Sequence, residues 1–130
     1  KWNLTQLLAH EMIHCLQFKT LGFWHSKPVS DIPDWKWEGY AEYISRKPDS
    51  EHSLSKNIET LLNSNTSEWA VKYDNETIIP RSYLEYWCLI QYCMDIKRMS
   101  FVQILNRSPD EAALKMEMID WFKKAEETYK

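Results

Sequence analysis

Apolar residues recur every three or four positions along most of this chain, the period of an α-helix. Leu4, Leu7, Leu8, Met12, Cys15 and Leu16 form the first such run. Asn3 stands in front of it with Gln6 three positions on, the pattern of an N-terminal cap, and Gly22 supplies a stop. Residues 23–37, punctuated by Pro28 and Pro33 and rich in Trp, read as a loop that runs into a short helix over Trp35–Arg46. Asp34 is the expected N-cap of that helix, and Pro48 lies beyond its end. A third helix is expected over Ser53–Asn63. The period then changes. Trp69, Val71 and Tyr73 alternate, Asp74-Asn75 reads as a turn, and Thr77, Ile78 and Ile79 follow, so residues 66–80 are expected to be extended, as a small hairpin. Helical spacing returns over Arg81–Arg98 and Ser100–Asn106. Ser108-Pro109-Asp110-Glu111 reads as a capping box with Pro at the first helical position, opening a last helix to Thr128. The expected fold class is mainly α, with the hairpin as its β component.

Composition narrows the functions open to such a fold. A chain of 130 residues makes one compact domain. With 44% hydrophobic and 14% aromatic residues it has ample material for a core, which excludes disorder. Its two glycines, Gly22 and Gly39, are too few and too far apart for a phosphate-cradling loop. A net charge of −3 without a basic stripe excludes nucleic acid as a partner. The longest apolar stretch, Tyr83–Met94, contains Glu85 and Gln91 and is too short to span a bilayer. Cys15, Cys88 and Cys93 are odd in number and read as small buried hydrophobes, not a disulfide scaffold. Because the sequence opens at Lys1 and not at Met, we expect it to be a piece of a larger protein. The compartment stays open between a membrane-anchored or exported whole protein and a cytoplasmic one.

The chemistry concentrates in His10-Glu11-Met12-Ile13-His14, an H-E-x-x-H motif inside the first helix. Positions four apart share a helix face, so both imidazoles can reach one metal ion, and neutral imidazole is a good zinc ligand. Glu11, beside the first His, can reach a metal-activated water and serve as general base. A catalytic zinc takes three protein ligands and keeps one open position. Gln17 and Thr20 stand where a metzincin would have Gly and His, which excludes that class. His25 and His52 remain open as third ligands, but the better candidate lies in Trp35-Lys36-Trp37-Glu38-Gly39-Tyr40-Ala41-Glu42-Tyr43. Glu38 and Glu42 share a face, and their aromatic neighbours bury the surroundings, so each carboxylate needs a cation or a donor. A metal supplies the first and an imidazole N–H the second. Gly39 would let the first two helices approach closely. Trp24, Trp35 and Trp37 are read first as core aromatics, with the lining of a substrate cleft as the other reading.

His10–His14 followed by Glu38-Gly39-Tyr40-Ala41-Glu42-Tyr43 resembles the gluzincin branch of zinc metallopeptidases, the thermolysin- and aminopeptidase-like group of the peptidase MA clan. His14-Cys15-Leu16-Gln17 also resembles the HExxH-xx-Q wording common there. The resemblance implies that Glu38 is the third zinc ligand and that Glu42 orients a zinc-bound His. Glu38 follows His14 by 24 positions, a spacing nearer that of collagenase-like members. The segment from Tyr83 to Tyr92 resembles the clan's tyrosine-bearing helix, which implies Tyr83 as the oxyanion donor, with Tyr86 as rival. The implied activity is zinc-dependent hydrolysis of a peptide or protein substrate. In these peptidases an extended substrate pairs with a strand that precedes the motif helix. Only nine residues precede His10, so the resemblance leads us to expect that this chain is the C-terminal helical part of a larger metallopeptidase-like protein and lacks that sheet, unless residues 66–80 replace it. The alternative function is a catalytically inactive, metal-stabilised helical module that binds or senses.

Overall fold

The computed structural model describes residues 3–46, 54–73, 77–107 and 110–129. These residues form six helices and one antiparallel hairpin, so the fold is mainly α. Helix α1 (Leu4–Leu21) begins where Asn3 Oδ1 accepts the Gln6 N–H at 3.1 Å. It ends at Gly22, whose φ of 82° few other residues adopt easily. A single 3₁₀ turn follows at Phe23–His25, inside the stretch expected to be loop.

Helix α2 (Asp34–Arg46) starts at Asp34, which is therefore not the cap. The Pro33 carbonyl accepts the N–H of Trp37 at 3.2 Å, so the helical ladder is already under way at Asp34. The carboxylate lies in the first turn, where the helix dipole favours an anion, and it pairs with Lys27. Helix α3 spans Leu54–Asn63. Strands β1 (Ala70–Lys72) and β2 (Ile78–Pro80) form the expected hairpin, with Val71 opposite Ile79. Its proposed turn at Asp74-Asn75 lies outside the described residues, as do Pro48 and His52.

Helix α4 (Arg81–Gln91) is shorter than the periodicity suggested. It widens into a π-helical turn at Tyr92–Ile96, and Arg98 closes it with a φ of 58°. Apolar residues continue past Gln91 through Tyr92, Cys93, Met94 and Ile96, so the sequence marks no break where the turn widens. Helices α5 (Phe101–Arg107) and α6 (Glu111–Thr128) complete the chain. The cap of α6 is Asp110, whose side chain accepts the Ala113 N–H at 3.1 Å. Ser108 and Pro109 lie outside the described residues.

The core sits where α2, α3 and α6 surround α4: Ile58, Leu84, Leu89, Ile90, Ile104 and Met118 are fully buried. Gly39 serves that core, not the contact between the first two helices. A Cβ there would stand 2.5 Å from the Tyr86 carbonyl oxygen of α4 and 2.7 Å from Ile90 Cγ1. Cys88 and Cys93 are buried as expected, but Cys15 is exposed. Helix α1 lies against α2 with an unexpected orientation. Its buried residues are His10 and Gln17, while Leu4, Leu8, Met12 and Leu16 face outward. Spacing reveals a helix but not its rotation when a helix is apolar nearly all round. Among the described residues, no helix is long and apolar enough to cross a membrane.

Candidate metal centre

The contact between α1 and α2 brings three donor atoms together. His10 Nε2, His14 Nε2 and Glu38 Oε2 lie 2.9 Å from one another in every pairing. Their one-turn spacing on α1 places the two imidazoles edge to face, with centroids 4.6 Å apart. Among the described residues this is the one group of His, Cys, Asp or Glu able to hold a metal ion. His25 is on the exposed 3₁₀ turn and is no part of it.

The outer nitrogens of both rings are already engaged. His10 Nδ1 is 2.9 Å from Glu42 Oε1. Burial pushes the Glu42 carboxyl upward, but hydrogen bonds from His10 and Arg46 and the Arg46 charge outweigh it and hold the group below its usual range. An ionised carboxylate only accepts, so the proton on this side of the ring is at Nδ1. His14 Nδ1 is 2.7 Å from Gln17 Oε1, and Gln17 Nε2 donates to the Trp37 carbonyl at 3.2 Å. That second bond orients the amide with its oxygen toward His14, so this ring also donates from Nδ1. Two neutral imidazoles so held aim both Nε2 lone pairs at the Glu38 oxygen.

Three converging lone pairs repel unless something positive lies between them. Protons are one answer. Burial pulls His10 down, but the hydrogen bonds and charges of Glu38 and Glu42 overcome it and raise the ring to about 9. His14 is raised for similar reasons, with Glu38 and Gln17 as its partners. Glu38 is driven the other way, to about 2: burial opposes ionisation, and the two imidazoles outweigh it. A metal ion is the other answer. Two imidazole nitrogens and one carboxylate oxygen are a catalytic zinc donor set, and atoms 2.9 Å apart can share one ion at about 2.0–2.2 Å. The residues present therefore fit zinc.

The walls of the centre are aromatic. Tyr83 of α4 stacks on the His10 ring at 5.7 Å and 10°, and Trp37 stacks on His14 at 5.6 Å and 9°. Trp35 and Trp37 are both buried, Trp24 is 75% exposed on the 3₁₀ turn, and of the three it is Trp37 that stacks on a ring of the centre. Beside His10 opens a cavity of about 160 Å³, walled by Glu11, Tyr83, Glu42, Arg46 and the β2 residues Ile78 and Pro80. Glu11 is exposed at its mouth. Tyr86 is 6.2 Å from Tyr83, ring to ring, and does not line the cavity. Burial, and then the charges of Glu38, Glu42, Asp34 and Glu11, push the Tyr83 phenol up to about 12, so it keeps its proton at neutral pH.

Two residues of this centre had no assigned role in the sequence. Gln17 was legible only as part of a motif wording. It sits one turn beyond His14, and that spacing is the signal. Arg46 sits one turn beyond Glu42, and its Nε donates to Glu42 Oε2. The chain matches no protein-family model, no curated protein and no solved structure.

Proposed function

We propose that this chain is the helical core of a zinc-dependent peptidase of the gluzincin type. The observation that carries the reading is the convergence of His10, His14 and Glu38, with each imidazole's outer nitrogen already fixed as a donor. An arrangement built for protons alone would not need both rings turned so that their lone pairs meet. The resemblance of the two helical motifs to gluzincins supports the same reading.

His10, His14 and Glu38 would hold the metal, and Glu42 and Gln17 would keep the two rings in register. Zinc bound there would polarise a carbonyl and lower the pKa of a water. Glu11, at the mouth of the cavity, takes the proton of the attacking water and passes it to the leaving amine. Tyr83, still protonated and stacked beside His10, donates to the oxyanion. The hairpin supplies an edge for the substrate backbone. Thr77 accepts from Tyr73, and Trp69 accepts from Arg81, so by antiparallel alternation the N–H and C=O of Ile78 point away from β1. Ile78 also lines the cavity, so that edge borders the space beside His10.

The test is a pair of measurements on Glu11→Gln. It is expected to bind zinc at one ion per chain, as the parent does, and to lose peptide hydrolysis by about 100-fold or more. A variant as active as the parent would overturn the mechanism. A parent that binds zinc, gains thermal stability from it and turns over no peptide would favour the non-catalytic module.

A further inference from the structure

We infer that Arg46 forms a carboxylate subsite in the cavity beside His10, so that the substrates favoured are peptides with a free C-terminal carboxylate close to the scissile bond. The inference rests on the peptidase reading for its substrate class.

The Arg46 side chain is 10% exposed. Its Nε donates to Glu42, and Tyr73 and Trp87 hold the guanidinium at 5.5 and 5.2 Å from their ring centroids. Among the described residues, its terminal nitrogens have no hydrogen-bond partner. A guanidinium carries five N–H donors in a fixed fork. Here one is engaged by Glu42, and the outer pair belongs to a side chain that lines the cavity. No nitrogen of that fork is both buried and unpartnered, so the donors without a protein acceptor meet open space, where an acceptor can reach them. A carboxylate answers that arrangement in geometry and in charge, because its two oxygens match the fork.

The dimensions limit what the carboxylate can be attached to. A cavity of about 160 Å³ is close to one that takes a single benzene-sized group, about 150 Å³. His10, Glu11 and Arg46 line the same cavity, together with the apolar Leu7, Ile78 and Pro80. A space of that volume would hold one small residue carrying the terminal carboxylate. The centre would then release single residues from peptide C-termini.

The experiment compares acid and amide. N-acetyl-leucinate and N-acetyl-leucinamide are titrated into the zinc-loaded protein and followed by amide chemical shifts of α1, α2 and β2. The parent should bind the acid about tenfold or more tighter than the amide, and Arg46→Gln should abolish that preference. Equal binding of both probes by the parent, or no binding of either, overturns the subsite. So does a preference that survives in Arg46→Gln, since the acid would then be bound by zinc alone. If Arg46→Gln does not fold, Arg46→Lys keeps a charge without the fork and should lose most of the preference. Hydrolysis separates this inference from the reading beneath it. Equal cleavage of a peptide and its C-terminal amide would leave the peptidase standing and remove the subsite. Acid-selective binding without any cleavage would do the reverse.

Discussion

Gln17 places its amide oxygen 2.7 Å from His14 Nδ1 while its amide nitrogen is tied to the Trp37 carbonyl at 3.2 Å. The two contacts leave His14 one neutral tautomer, with Nε2 free to ligate. Replacing Gln17 by Leu removes the hydrogen bond and keeps most of the volume. Zinc affinity, measured by competition with a chromophoric chelator, should fall about 10- to 100-fold. An unchanged affinity would show that Trp37 stacking alone orients the ring.

Protons compete with zinc for this centre. His10 titrates at about 9 in the metal-free protein, so at neutral pH an incoming ion must displace at least one proton. Apparent zinc affinity should fall about tenfold per pH unit below about 9 for each proton displaced. Calorimetric titration in two buffers of different ionisation enthalpy gives that number directly, and no release at pH 7 would contradict the arrangement of lone pairs.

The same shifts set the pH dependence of the metal-free fold. His10 is raised from an ordinary 6.5, so its contribution is full below that value and is lost as pH climbs through about 9. Glu38 is lowered from an ordinary 4.5, so its contribution is full above that value and is lost as pH drops through about 2. Thermal unfolding of the metal-free protein should therefore peak between about pH 4.5 and 6.5 and decline on the alkaline side. Loading with zinc should flatten that alkaline decline, because the proton is no longer needed.

Gly39 cannot carry a side chain without moving a helix, since the nearest atom is the main-chain oxygen of Tyr86 at 2.5 Å from a built Cβ. Gly39→Ala should cost about 1–3 kcal/mol of stability as an overpacking change. It should also weaken zinc binding, because Glu38 is the adjoining residue. Denaturant unfolding with and without zinc separates the two effects.

Tyr83→Phe keeps the stack on His10 and removes one donor. It should lower kcat by about 100-fold with KM and zinc content little changed. Tyr86→Phe, away from the cavity, should leave kcat near that of the parent. Reversed effects would transfer the oxyanion role to Tyr86.

Much of this centre was legible because its residues sit at helical intervals. His10 and His14, and Glu38 and Glu42, each occupy one face, and the helices they belong to announce themselves by period and caps. The rotation of α1 was not legible: its aliphatic residues lie on faces that propensity cannot rank, and the partner carboxylates of α2 decide which face turns inward. The place of Gly39 was half legible. A close approach could be read from a glycine inside a helix, but its partner depends on how α2 and α4 cross. The end of α4 was hidden because apolar residues continue through Tyr92, Cys93, Met94 and Ile96, with no stop signal at Gln91. Arg46 escaped notice for a different reason, as an arginine at a helix end is ordinary until a cavity beside it is seen.

Helix α1 is held largely by polar contacts. Its inward links include His10 to Glu42 and Glu38, Gln17 to Trp37 and Gln6 to Ser45, while Leu4, Leu7, Leu8, Met12 and Leu16 are exposed. Such an element, with no fully buried aliphatic side chain, has less of the apolar anchoring that makes a helix open only with global unfolding. In metal-free protein, amide hydrogens of α1 should therefore exchange early, ahead of those in α4. An ion bound by two residues of α1 and one of α2 would fasten the two helices at one point. The metal would then govern not only chemistry but whether the helix bearing it stays docked, and slow exchange along α1 would report loading without any substrate.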